Sequence, residues 1–250
     1  MIHKALSGRT ALITGASAGI GYATAEELAC LGARVVVTAR RGSLLDSLVR
    51  SIKEKRGEAK ACVLDASDLE QIRRVWEQSV AWAGNLDTVV VNAGRGLAGG
   101  LLSSDASQWE QIYKLNVLGA AHLMRLAAEH MVERGGGDIV VLGSVSGLNI
   151  SPFSGFYGSS KFAITAAAEA LRREVAAKSV RVTVVKPGIV LSEFQDQAGY
   201  EPSLAENWRA KFGKLLEPQD VARAIGFVVS QPPHVHINDV LIRPTGQDYP

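Results

Sequence analysis

The sequence predicts one α/β domain built on a doubly wound parallel sheet of about seven strands, with helices on both faces. Three observations carry this expectation. Short β-branched runs alternate with longer amphipathic segments from end to end. A glycine-rich run follows the first strand directly and opens a helix. No linker or repeat divides residues 1–250, and a chain of this length with 47% hydrophobic content can bury a full core.

Taken in order, strands are expected at Thr10–Ile13, Arg34–Thr38, Ala61–Leu64, Thr88–Val91, Asp138–Leu142, Arg181–Val185 and Val240–Ile242, where β-branched residues cluster. Helices are expected between them at Gly19–Leu31, Ser43–Arg56, Leu69–Ala83, Ser107–Val132, Tyr157–Lys178 and Pro218–Val229. Strict alternation implies parallel strands joined by right-handed crossovers and buried on both faces. Ligands of such sheets bind beyond the carboxyl ends of the strands, so functional motifs should follow strands. The long stretch Ile189–Leu216, with Phe194, Tyr200, Trp208 and Phe212 among charges, is expected to be a substrate-side lid at about 189–216.

Composition excludes several classes. A net charge of +2 with dispersed Lys and Arg argues against a nucleic-acid or membrane partner. Cys30 and Cys62 are isolated, so neither a disulfide framework nor a zinc site is expected. His234 and His236 form a His-x-His pair with no third ligand nearby, and no metal is assigned. Residues 1–8 show no apolar leader and no stretch reaches 18 apolar residues, so a cytoplasmic location is expected.

The motifs point to a nucleotide and to proton transfer. In Thr14–Gly21, Gly15, Gly19 and Gly21 let the backbone turn tightly and approach a pyrophosphate, with Ser17 and Ile20 between them and a helix N-terminus behind. The second strand runs into Ala39-Arg40-Arg41. An acid there would bind a ribose diol, whereas two guanidiniums suit a 2′-phosphate, so NADP is the expected cofactor. Ser144 precedes Tyr157 by thirteen residues and Lys161 follows it by one helical turn. A Tyr-x-x-x-Lys pair shares one helix face, where the ammonium should favour the ionised phenol. Alone, such a pair is more often packing than chemistry. Arg95 is a candidate for binding a substrate carboxylate, and Phe153, Phe156 and Phe194 for an apolar wall, though ordinary solvent exposure or core packing would also account for them.

Together these residues resemble the short-chain dehydrogenase/reductase family, in the family's order and over nearly the whole chain. Thr14–Gly21 resembles its glycine loop, Asp65 its adenine-contacting acid, and Asn92-Ala93-Gly94 its Asn-Ala-Gly element. Asn116, Ser144, Tyr157 and Lys161 match its catalytic positions, and Pro187-Gly188 with Val190 and Ser192 its nicotinamide-wrapping segment. The resemblance implies a Rossmann-type catalytic domain spanning residues 1–250. Tyr157 would exchange the proton, and Lys161 would bind the nicotinamide ribose and lower the Tyr157 pKa. Ser144 would hold the substrate oxygen, and Asn116 would support a water-linked proton path. It also implies a small carbonyl or alcohol substrate and a homodimer or homotetramer.

Two departures are Val91 before Asn92, and Ala18 where many NADP-using relatives carry a basic residue in the loop. The ending Ile242-Arg243-Pro244-Thr245-Gly246-Gln247 is similar to the 3-hydroxy acid dehydrogenase and clavulanate-type aldehyde reductase branch, which demotes a 3-oxoacyl-thioester reductase. A non-catalytic cofactor sensor of the same fold is the alternative from another class.

Overall fold

A computed structural model describes residues 4–150, 154–201 and 203–249. The first half alternates β1 (Thr10–Thr14), α1 (Gly19–Cys30), β2 (Arg34–Ala39), α2 (Gly42–Glu54), β3 (Ala59–Val63), α3 (Leu69–Ala83) and β4 (Thr88–Val91). After it come α4 (Trp109–Tyr113), α5 (Ala120–Arg134), β5 (Gly137–Leu142), α6 (Gly155–Val175) and β6 (Val180–Pro187). The chain closes with α7 (Phe194–Gln197), α8 (Leu204–Phe212), α9 (Pro218–Val229) and β7 (Asp239–Ile242).

The strands form one seven-stranded sheet in the order β3-β2-β1-β4-β5-β6-β7, parallel throughout. Strand order reverses between β1 and β4, which opens a crevice above their carboxyl ends. Successive side chains of a strand point to opposite faces. Ile13, Val35 and Val37 accordingly join one core cluster with Leu28, Leu45 and Ile225, while Leu12, Val36 and Val89 join the other with Leu123 and Ile164. This two-sided burial is why the strands read as continuous apolar runs.

The expected helix over 107–132 is in fact composite. A 3₁₀ turn at Ala106–Gln108 leads into α4, and a π turn at Lys114–Gly119 separates α4 from α5. Close packing accompanies the irregularity: a Cβ on Gly119 would stand 1.9 Å from the Ala66 carbonyl oxygen, so backbone meets backbone there. Opposite the crevice, Asp138 is clamped by Arg181, with Nε to Oδ1 at 2.6 Å and Nη2 to Oδ2 at 2.9 Å, and by Arg9. Arg9 and Arg181 also donate to the carbonyls of Val229 and Val235, tying the chain after α9 to the base of the sheet.

Among the described residues no helix is long and apolar enough to cross a membrane. No group of three His, Cys, Asp or Glu is placed to hold a metal ion among them. His236 instead uses Nε2 on the Val182 carbonyl, 2.9 Å away.

Candidate active site

The glycine loop is stapled to β4. Asn92 Nδ2 donates to the Thr14 carbonyl at 2.8 Å, and Thr14 Oγ1 accepts the N–H groups of Asn92 and Ala93, each at 3.0 Å. Gly15 has φ +68°, and a Cβ on it would come within 2.8 Å of Asn92 Nδ2. Gly21 faces the same crowding from behind, 2.4 Å from the Gly15 carbonyl oxygen, so it serves the closeness of helix to loop. Helix α1 then begins with Ala18 extended and no side-chain cap, leaving its first-turn N–H groups to a ligand.

A groove of about 430 Å³ runs from this loop past Arg40, Arg41 and Asp65, and Ser17, Gly19, Ala93, Gly94 and Ser192 also line it. Uncapped helical N–H groups at one end and guanidiniums at the other form a donor set that fits a dinucleotide phosphate. Arg41 is engaged from both sides: it donates to Ser17 Oγ at 3.0 and 3.1 Å and to Glu193 Oε2 at 2.8 Å. Asp65 accepts from the N–H and hydroxyl of Ser67, at 2.9 and 2.7 Å.

Gly15 also borders a deeper cavity of about 500 Å³, where Ser144, Tyr157 and Lys161 converge. Ile20, Asn92, Pro187, Gly188, Val190 and Ser192 line it as well. Ser144 follows β5 in extended conformation and its Oγ accepts the Ser146 N–H at 3.1 Å. The hydroxyl proton is thereby left for Tyr157, to which Ser144 is hydrogen-bonded. Tyr157 and Lys161 lie on the buried face of α6, and Lys161 Nζ donates to the Leu142 carbonyl at 2.7 Å.

The electrostatics depart from expectation. Burial pushes the Tyr157 phenol above its ordinary value, against a downward pull from Ser144. Burial also lowers Lys161 to about 8. The ammonium is not what governs the phenol here: it is turned to Leu142, 5.8 Å from the Tyr157 ring centroid, and desolvation dominates both groups.

Asn116 sits in the π turn at 2% exposure with its side chain fully used. Oδ1 accepts the Arg95 N–H at 3.0 Å, while Nδ2 donates to the Arg95 carbonyl at 2.9 Å and to Ser160 Oγ at 3.1 Å. Its amide thus joins the loop after β4 to α6 rather than contacting Lys161. Arg95 also differs from expectation, since its guanidinium donates to Gln111 at 3.0 Å and to Gln108 and borders the nucleotide groove, not the catalytic cavity. Phe156 stacks on Trp109 with centroids 4.4 Å apart, as core packing. Phe153 lies outside the described residues.

Phe194 does reach the cavity, with its ring centroid 5.6 Å from that of Tyr157. Its lid seats on the loop after β4: Ala98 N–H donates to the Ala198 carbonyl at 2.9 Å, and a Cβ on Gly96 would meet Phe194 and Ala198 at 2.7 Å. The stretch 189–216 is therefore partly helical, through α7 and α8, and contributes Tyr200, Leu204 and Trp208 to the cavity wall. Sequence reasoning missed Glu193 as a partner of Arg41, and Gln247 and Lys211 as cavity residues.

Fold and site define a dinucleotide-binding α/β protein with a buried Ser–Tyr–Lys centre. Residues 9–202 match the model of the short chain dehydrogenase family, and the chain belongs to that family of oxidoreductases. It is 30% identical over 240 residues to an uncharacterized oxidoreductase of Staphylococcus saprophyticus, covering 96% of this chain and 98% of the relative. It is 32% identical over 239 residues to the glycine betaine reductase ATRR of Emericella nidulans, covering 96% of this chain but 19% of that longer protein.

Among solved structures it is similar to the closed form of serine dehydrogenase complexed with NADP+. The TM-score is 0.87 at 29% identity, with 96% of each chain covered. It is similar also to 7α-hydroxysteroid dehydrogenase complexed with NADH and 7-oxo glycochenodeoxycholic acid, with TM-score 0.89, 28% identity, and 96% and 95% of the two chains covered.

Proposed function

We propose that this oxidoreductase is NADP-dependent and interconverts a carbonyl, in an aldehyde, ketone or oxo acid, with the corresponding alcohol. The reading rests on one observation: the Ser144 and Tyr157 hydroxyls and the Lys161 ammonium meet in a cavity continuous with the Gly15 turn. A bound nicotinamide supplies hydride to the carbonyl carbon, or takes it back in the reverse direction. Ser144 and Tyr157 donate hydrogen bonds to the oxygen as it gains negative charge, and Tyr157 delivers the proton. Lys161 holds positive charge beside the phenol and offers N–H donors to a ribose. Phe194 and the lid cover the reacting atoms and exclude water.

For the cofactor, Ala39, Arg40 and Arg41 stand at the end of β2 with no acid to receive a ribose diol. Relatives use both NADP and NAD, so this feature of the chain itself supports the choice. Self-association through α5 and α6 is part of the same reading, supported by Leu118 at 55% and Phe162 at 39% exposure.

The test is NADPH oxidation over a panel of acidic and neutral carbonyl compounds, with Tyr157→Phe as control. Wild-type turnover is expected, and Tyr157→Phe should lose at least about a hundredfold in kcat while retaining NADPH affinity, since general acid catalysis contributes roughly 10²–10⁴. Tight NADPH binding with no turnover on any carbonyl would sink the enzyme reading and leave a cofactor sensor.

A further inference from the structure

The catalytic cavity contains a buried donor without a partner. Gln247 is 5% exposed, and its Oε1 accepts the Ile189 N–H at 2.9 Å, which fixes the orientation of the amide. Nε2 is left with no hydrogen bond. The side chain is wedged in place: a Cβ on Gly188 would lie 2.3 Å from Oε1, and Gln247 N–H closes a turn onto the Pro244 carbonyl at 2.9 Å. Burying an amide N–H unpaired is costly, so a donor built in this way is suited to an acceptor that arrives with a ligand.

Charge identifies the acceptor. The residues lining this cavity include Lys161 and Lys211 but no Asp or Glu. Lys211 ends α8 close to Gln247, because the Gly246 turn seats on Phe212, where an added Cβ would be 2.5 Å from the Phe212 carbonyl oxygen. Among the described residues Lys211 has no acidic partner; its Nζ lies 4.8 Å from the Phe212 ring centroid. The remaining wall of Phe194, Tyr200, Leu204 and Trp208 is apolar in body. One oriented neutral donor and one cation in a cavity without carboxylates are complementary to an anionic oxygen group.

We infer that the substrate carries a carboxylate set apart from its reacting carbonyl, hydrogen-bonded by Gln247 Nε2 and attracted by Lys211 Nζ, so that oxo acids and hydroxy acids are the favoured class. This rests on the cavity being a carbonyl and alcohol site, and it moves the acid-binding role from Arg95 to the opposite side of the cleft.

The experiment compares a 3-oxo acid with its methyl ester on the full chain and on Gln247→Leu and Lys211→Met. Wild type should favour the acid by about tenfold or more in kcat/KM, and each variant should cut the acid-to-ester ratio at least about fivefold, mainly through KM, as expected for lost charge-assisted contacts. Lys211 is exposed, so Lys211→Met keeps the test in force if Gln247→Leu fails to fold. NADPH affinity, read by fluorescence, separates the other source of an acceptor oxygen. If Gln247→Leu weakens NADPH binding while leaving the acid-to-ester ratio unchanged, the donor belongs to the nicotinamide carboxamide and the inference falls. Equal ratios in all three proteins, with both compounds turned over, would overturn it alone; no turnover of either would take the carbonyl reading down with it.

Discussion

At Lys161 burial and function pull in opposite directions. An ammonium held to about 8 from an ordinary 10.5 costs stability when charged, and the unfolded chain binds that proton more tightly. The cost is full below pH about 8 and is relieved as pH rises toward 10.5, where both states become neutral. Lys161→Met should therefore abolish turnover yet raise Tm near pH 7. The net gain is about 1–2 kcal/mol after the lost bond to Leu142, and it should shrink and vanish by pH ~10. Thermal melts at pH 6, 7, 9 and 10 would check this, and a gain that grew with pH would contradict it. The identities of Ser144, Tyr157 and Lys161 were legible in sequence because spacing on a helix fixes a shared face. Their electrostatics were not, since desolvation depends on how the whole lid closes over them. Gln247 was invisible for the same reason: nothing in a Pro-Thr-Gly-Gln turn announces a buried amide.

Among elements, the end of β2 and the lid meet through Arg41 and Glu193, while Arg40 has no such carboxylate partner among the described residues. A 2′-phosphate would have to share or displace Glu193 at Arg41, which makes Arg40 the more available guanidinium. Arg40→Asp should shift the NADPH-to-NADH ratio of kcat/KM by at least about tenfold toward NADH, by replacing attraction with repulsion of a phosphate and offering a ribose acceptor. An unchanged ratio would remove the 2′-phosphate argument. Strands were readable to within about two residues because two-sided burial writes them as apolar runs. The π turn was not, since Lys114–Gly119 keeps an ordinary helical pattern while its backbone yields to Ala66. The helices α7 and α8 also escaped notice: four and nine residues are too short for periodicity to establish.

For the molecule as a whole, stability and chemistry occupy opposite ends of one sheet. Asp138, at 4% exposure, is the acceptor for both Arg9 and Arg181, so Asp138→Asn leaves two guanidiniums short of charge compensation. A loss of about 2–3 kcal/mol is expected, moderated by the carbonyls that Arg181 retains, and it corresponds to a Tm lower by roughly 5–10 °C. KM values at a permissive temperature should stay unaltered, and calorimetry beside kinetics would check both. The doubly wound order was legible because alternation leaves few topologies. The clamp was not, because Arg9, Asp138 and Arg181 are far apart in sequence and ordinary in composition.

That clamp also sets where the molecule can breathe. With the strand bases and the segment after α9 fastened together, opening motions must start from the free rim, where α7 and α8 rest on few anchors such as the Ala98–Ala198 bond. Amide exchange should then grade along each strand, slowest near Asp138 and fastest beneath the lid, so that a ligand can enter and leave without disturbing the bonds on which the sheet depends.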